Sequence, residues 1–431
     1  MADMKLGTVT DPRVRGKVFH KIPAVLAALV MGMVTRARSL RIVEQRTAEV
    51  PKKHGSWMGL QQRIGDNTLG RILKRLRLVE LVACLHRLIK AEHRRGNLKP
   101  TALPFGTVAI DGKNVGTLRW RDLCRAVGLE PGEATVPQVR SALVHLHPEV
   151  QLCVPTEGEP YGLLRVHTVT LISADAAPCI HQRPIEGATN EIGALPRLLD
   201  ELFAAYQRTR LFRLVTTDAG NSSLASTTQI VDRGLHYFAQ IKSGHGDLHA
   251  EARRRLGTLR PSRAPQSYSD QQNGNTVTYY IWRCSLGEGG WLDWTHARQL
   301  IRVRRVVQAP ETEKPISTGD RYYVTSLPES ELGLRTALKI SRAHWRCENC
   351  THWSADAEWL EDRRKLSWSR HPTGVLVVSC LQRMALAILA MVRALSRIGY
   401  SQEKPSWSQV IGHFLLVLCD SILDTTAFDA V

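Results

Sequence analysis

LFRLVTTDAGNSSLASTTQIVDRGLHYFAQI, residues 211–241, is the stretch from which the architecture can be read. Leu211 to Thr217 is apolar and β-branched, so it reads as a strand, and Asp218 ends it. Asp218 leads through Ala-Gly-Asn-Ser-Ser into a helix reaching about Arg233, and Leu235 to Ile241 returns to strand. On the N-terminal side lie an amphipathic helix, Glu191 to Gln207, and a strand, Leu163 to Ser173. Further upstream, FGTVAID from Phe105 and VGTLRW from Val115 flank a DGKN turn; Asp-Gly between β-prone runs is a strong hairpin cue. On the C-terminal side, RYYVTSL (321–327) is a further strand. Hairpins followed by alternating strand and helix imply an α/β fold, a mixed sheet flanked by helices.

The remaining segments attach to that frame. Arg121 to Gly162 reads as an insertion with a helix around Val136 to Leu146. Arg253 to Asp320 holds VTYYIWRC and RQLIRVRRVV as strands between Ser/Gln/Asn/Pro-rich loops, a β-rich insertion. Residues 1–17 are polar and expected to fray. Val18 to Pro100 is helical in pattern: one helix from Pro23 to Arg36, one behind an Asp66 or Asn67 cap, and one ending in His93-Arg94-Arg95 before Gly96. The second carries Arg71, Lys74, Arg75 and Arg77, which suits a DNA-reading helix and equally a solvated basic face. The expected division is therefore 1–100 helical and associated with DNA binding, 101–245 the first part of a catalytic domain with its insertion at 121–162, 246–320 β-rich, 321–400 the rest of the catalytic domain, and 401–431 a helical tail.

Fifty-eight Lys and Arg against forty Asp and Glu give a formal charge of +18, which favours a polyanionic partner, nucleic acid before membrane. The two most apolar runs are expected to be core helices: Ile22 to Val34 is too short to span a bilayer, and Val375 to Val392 carries Gln382 and Arg383 at its middle. No cleavable signal peptide is expected. Nine scattered cysteines fit a reduced, cytoplasmic protein better than a disulfide scaffold.

Asp111 and Asp218 each end a strand, and Glu348 lies in a helical stretch, His344 to Arg370, dense in Trp, His and Arg. Carboxylates at strand ends meet in the crevice at one edge of an α/β sheet, and a helix crossing that edge can add a third. Three carboxylates make an all-oxygen site suited to Mg²⁺ or Mn²⁺, and two such ions can serve phosphodiester chemistry. Each acid also has an innocent reading: Asp111 as the start of a tight turn, Asp218 as a helix N-cap, and Glu348 as a partner of nearby arginines. A zinc site at His344, Cys347, Cys350 and His352 is the local rival. It is disfavoured because the chain has no second Cys-x-x-Cys and a helix would spread the four over too wide an arc.

From about residue 105 to 395 the chain resembles the DDE transposases of the IS4 superfamily, of the ISAs1 type. The matching motifs run in order: VAIDGK at Asp111, HTVTLISA, TNEIGALPRLLDEL, VTTDAG at Asp218, LHYFAQIKSGHGDLH, RYYVTSL, then HW-x-x-EN-x-x-HW-x-x-D and the pair Glu361-Asp362. The resemblance implies an RNase H-like fold with Asp111, Asp218 and Glu348 as catalytic, metal-binding acids, and two Mg²⁺ or Mn²⁺ ions as cofactors. It implies a bacterial, nucleoid-associated protein that cuts transposon ends and joins the freed 3′-hydroxyl to target DNA, with double-stranded DNA as partner and a homodimer as the active form. Departures are the long 121–162 segment, the run RRKLSWSRHP after Asp362, and the missing Tyr, Arg and Lys around the catalytic Glu seen in other branches. Lys113, Lys242, Arg342 and Arg346 are then expected at DNA, and Trp345 and Trp353 as stacking platforms or as core. The competing readings are an RNase H-like nuclease without strand transfer and an inactive DNA-binding copy.

Overall fold

The computed structural model describes residues 2–14, 16, 18–53, 59–310, 315–361, 371–396 and 404–419. Asp362 and the basic run behind it lie outside the described residues, as do residues 401–403 and 420–431 of the expected tail. Among the described residues four α-helices come first: α1 (Ile22–Val34), α2 (Leu40–Lys53), α3 (Asp66–Leu73) and α4 (Leu78–Arg94). Pro23 stands in the first turn of α1, where its missing N–H costs nothing, and Gly96 at φ +84 closes the chain behind α4. The N-terminal leader is ordered, against expectation. Met4, Leu6 and Val9 are buried, Arg87 donates from Nε to the Met4 carbonyl at 2.9 Å, and Asp3 pairs with Arg95. Three apolar side chains among polar neighbours suffice to dock it.

The strands and their helices follow as β1 (Thr107–Arg119), α5 (Trp120–Ala126), α6 (Val136–Leu146), β2 (Val150–Cys153), β3 (Tyr161–Thr170), β4 (Cys179–Pro184), α7 (Glu191–Tyr206), β5 (Leu214–Thr217), α8 (Leu224–Asp232), β6 (His236–Ile241) and α9 (Gly246–Leu256). Then come β7 (Gln266–Gln272), β8 (Asn275–Ser285), β9 (Gln299–Gln308), β10 (Ser317–Thr325), α10 (Leu334–Ala343), a π-helical turn (Cys347–His352), α11 (Trp353–Trp359), α12 (Pro372–Ser396) and α13 (Trp407–Cys419). One ten-stranded mixed sheet runs in the order β2-β3-β1-β5-β6-β10-β9-β8-β7, with β4 also paired to β3. The β1–β5 and β5–β6 pairs are parallel, and the others are antiparallel. The expected mixed sheet flanked by helices, with a β-rich insertion and N-terminal helices, is what the chain forms. The insertion strands β7–β9 extend the main sheet through β10.

One expectation fails at the centre. The DGKN stretch is no hairpin turn: β1 runs straight through it, paired with β3 from Ala109↔Thr170 through Asp111↔Thr168 to Arg119↔Tyr161, with one irregularity between Asn114 and Gly116. Gly112 does not take the positive φ that a tight turn asks of glycine. A Cβ there would collide with the Glu191 carboxylate, so the glycine serves close approach, not chain reversal.

Alternation along the strands assigns the two faces of the sheet. Val108, Ile110, Val215, Tyr237 and Ala239 belong to the large core shared with α7, α12 and the N-terminal helices. Ala109, Leu214, Phe238 and Tyr323 face the other way, against Leu338, Ile340 and Cys347. α12 is long and apolar enough to cross a membrane, but 83% of its most apolar window is buried within the protein. Its central Arg383 is wholly buried and paired with Glu361, whose other oxygen accepts from Ser379 Oγ at 2.9 Å. The insertion at 121–162 packs its own small core, Val139 and Leu143 against Leu118, Leu123 and Val150.

Candidate active site

Period two decides where the strand-end acids go. Asp111 follows Ala109 by two residues and Asp218 follows Leu214 by four, so both emerge on the face that packs against the helix carrying Cys347 and Glu348. The parallel register pairs Ile110 with Thr217, the residues directly before Asp111 and Asp218, and the charge of Asp218 acts on Asp111. Asp111 is therefore a mid-strand residue, not the first residue of a turn. Asp218 is not the cap of α8: Ser223 is, accepting from the Ser226 N–H. Asp218 Oδ1 instead accepts from both the backbone N and the Nδ2 of Asn221, each at 2.9 Å.

The helix segment is stitched to the strands by histidines. His344 Nδ1 meets Thr216 Oγ1 at 2.9 Å, His352 Nε2 meets Thr168 Oγ1 at 2.7 Å, and His352 Nδ1 lies 3.4 Å from Asp111 Oδ2. Burial holds His344 down at about 4 and His352 well below its ordinary range, so both are neutral and the His352–Asp111 contact is not an ion pair at neutral pH. Cys347 Sγ is 3.7 Å from Asp111 Oδ2; burial, then Asp111 and Glu348, push this thiol up, and it stays protonated. The π-helical turn spanning Cys347–His352 sits at this crossing, and such widened turns recur at functional sites.

Asp111 is raised to about 7, by burial first and then by the charges of Asp218, Glu348 and Glu191. Glu348, exposed, is also raised, by desolvation and by Asp218, with Arg321 opposing. Among the described residues Asp111 has no charged partner beside the neutral His352, and Asp218, Glu348 and Glu191 pair with no Lys or Arg. Among those residues, too, no three His, Cys, Asp or Glu side chains are grouped closely enough, as they stand, to hold a metal ion.

The accessory residues divide. Lys113 turns inward, 8% exposed, with Nζ 2.7 Å from Asp356 Oδ2 and 3.8 Å from Glu361 Oε2. Arg346 also turns inward, donating to the carbonyls of Ala174 and Asp175 at 2.9 and 2.7 Å. Lys242 stands exposed just past β6, and Trp353 is 61% exposed. Arg342 and Trp345 line a cavity of about 480 Å³ with Arg305, Arg321, Tyr279 and Asn349, next to Glu348 in sequence. Arg321 stacks over Trp345 at 4.6 Å, and Arg342 over Tyr279 at 4.9 Å while pairing with Asp270. Glu191, Asn221 and Arg321 were not singled out from the sequence. Glu191 and Arg321 lie inside motifs quoted above, but nothing in their spacing marks them as neighbours of Asp111 or Glu348.

A mixed sheet flanked by helices is the class of fold, with Asp111 from mid-strand, Asp218 from a strand end and Glu348 from a helical turn at its candidate site. The chain is a distant relative of bacterial transposase-like proteins. It is 23% identical over 230 residues to "Putative transposase YncI" of Escherichia coli O157:H7, covering 52% of this chain and 56% of that protein. It is 24% identical over 233 residues to "Putative protein YbfL" and to "H repeat-associated putative transposase YhhI", both of Escherichia coli strain K12, covering 52% of this chain and 58% of each. The chain thus spans little more than half the length of these curated relatives. No family model matches it. The piggyBac transposase synaptic complex with hairpin DNA superposes at a TM-score of 0.40 and 12% identity, over 95% of this chain and 74% of that one, a likeness too loose to bear on function.

Proposed function

We propose that the chain is the DNA transposase of a bacterial insertion sequence, of the IS4 superfamily and ISAs1 type, acting in the cytoplasm on transposon ends and target DNA as a homodimer. The observation that carries the reading is that Asp111, Asp218 and Glu348, drawn from β1, the loop after β5 and the π-helical turn, lie within electrostatic reach of one another, with no Lys or Arg among the described residues pairing any of them. A structural cluster would be neutralised from within. Here the charge is left for something else to neutralise, and an all-oxygen donor set fits a hard divalent cation. Asp111, Asp218 and Glu348 would hold Mg²⁺ or Mn²⁺, two ions. Such ions supply activation of the attacking oxygen and charge stabilisation at the phosphodiester.

The chain's own residues do the positioning. Cys347, Thr168 and His352 fix Asp111, Asn221 fixes Asp218, and the neutral His344 ties the Glu348 helix to β5. Arg305, Arg321, Arg342 and Trp345 offer charge and aromatic faces for a DNA strand entering beside Glu348. The test is incubation with the element's terminal DNA, a target plasmid and Mg²⁺, followed by strand-resolved gels. Products joined to target support the proposal. Cut ends without joining point to a hydrolytic nuclease, and shifted but uncut DNA to an inactive binding copy.

A further inference from the structure

Glu191 opens α7, in the first turn behind the Asn190 cap, whose Oδ1 accepts from the Gly193 N–H at 2.9 Å. Its carboxylate lies against β1 at the one residue there that leaves room, Gly112, directly after Asp111. Asn221, wholly buried, donates from Nδ2 to Glu191 Oε2 at 3.1 Å and to Asp218 Oδ1 at 2.9 Å. Its Oδ1 meets His167 Nε2 at 3.3 Å, and His167 sits opposite Gly112 in the β1–β3 register. A single neutral amide, anchored on β3, thus fastens two carboxylates side by side. Holding two like charges together this way is unfavourable for the fold alone, since no Lys or Arg among the described residues pairs with either.

We propose that Glu191 is a fourth acid of the centre, and that Asn221 sets it beside Asp218 so that both serve the same divalent cation. This rests on the reading of Asp111, Asp218 and Glu348 as a cation centre. Glu191 is among the charges that raise Asp111, which puts it within electrostatic reach of that centre from a fourth element of the fold.

The test is calorimetric titration of the full chain with Mn²⁺ alone, on the wild type and on Asp111→Asn, Glu191→Gln and Glu186→Gln, with thermal midpoints measured without metal. Glu186 pairs with Arg183 and Arg197 on the surface and serves as control. Glu191→Gln is expected to weaken Mn²⁺ binding at least about tenfold. Its metal-free midpoint should equal or exceed that of the wild type, because a like charge has gone. A purely structural Glu191 would give the reverse, a lowered midpoint with unchanged Mn²⁺ affinity, and would overturn the proposal. If Asp111→Asn loses Mn²⁺ while Glu191→Gln binds it like the wild type, the fourth acid is wrong and the three-acid reading stands. A wild type that takes up no Mn²⁺ overturns both. Should Glu191→Gln not fold, Asn221→Ala carries the same expectation for affinity, and wild-type Mn²⁺ binding by that variant would equally reject the proposal.

Discussion

Three residues in a row, Asp111, Gly112 and Lys113, show how much one strand segment is asked to do. Asp111 points at the acids, Gly112 makes room for Glu191, and Lys113 reaches the half-buried carboxylate of Asp356 and the buried one of Glu361. Lys113→Met should cost about 3 kcal/mol, the low end for a broken buried pair because Asp356 keeps some solvent, read from urea unfolding. DNA affinity and its salt slope should stay unchanged. A slope reduced by about one would instead put Lys113 on a phosphate. Asp218→Asn should abolish cleavage while DNA affinity, carried by phosphate contacts elsewhere, stays within about twofold. Wild-type nicking by that variant would remove Asp218 from the chemistry.

At the scale of elements, the segment from α10 to α11 is the hinge of the architecture. Its first part packs on the sheet through Leu338 and Ile340, and its far end docks on the N-terminal helices. Trp359 is buried and donates from Nε1 to the Met33 carbonyl at 2.9 Å, while Arg36 pairs with Glu358. The helix bearing Glu348 is therefore held at one end by the sheet and at the other by α1. Trp359→Phe should cost about 1–3 kcal/mol by stranding a buried carbonyl, and Trp359→Ala about 3–5 kcal/mol, in a single cooperative unfolding transition. Two separate transitions would mean that the N-terminal helices do not share the core of the sheet.

Over the whole molecule, charge and buried imidazoles set the response to solution conditions. With a net charge of +18, DNA binding should fall by orders of magnitude from low to moderate salt, and a flat response in filter binding would count against a DNA partner. His86, stacked on His181 between α4 and β4, is held down to about 2 by burial, and His167 to about 4. Their ordinary value is 6.5, so below it the unfolded chain binds protons that the folded chain refuses. Their stabilisation is complete above about 6.5 and is lost as pH falls towards those lower values. Asp111 acts in the opposite sense: raised to about 7, it makes the metal-free fold less stable as pH climbs from about 4 to 7. His344 and His352 add to the same side and Glu348 to that of Asp111, so four histidines against two carboxyls give a net loss. The urea midpoint should therefore drop between pH 6.5 and 5, and His86→Gln should shallow that dependence. A midpoint that rises on acidification would contradict the assignment of neutral buried imidazoles.

Periodicity and composition carried the order of elements. The helix at 136–146, the strand near 236–241 and the long buried helix around Arg383 all follow from local pattern, because backbone geometry and burial impose their periods residue by residue. What pattern could not supply was whatever depends on a partner distant in the chain. Asp-Gly reads as a turn until Glu191 is seen filling the space beside Gly112. Lys113 and Arg346 read as contacts for DNA, and only the fold shows the partners they have within the chain, Asp356 and the carbonyls of Ala174 and Asp175. Met4, Leu6 and Val9 look like a frayed leader until α4 receives them. The gathering of Asp111, Asp218 and Glu348 belongs to the same category: a strand dictates which face a side chain takes, but only the pairing of β1 with β5, and the packing of helices across them, decides which charges come within reach of one another.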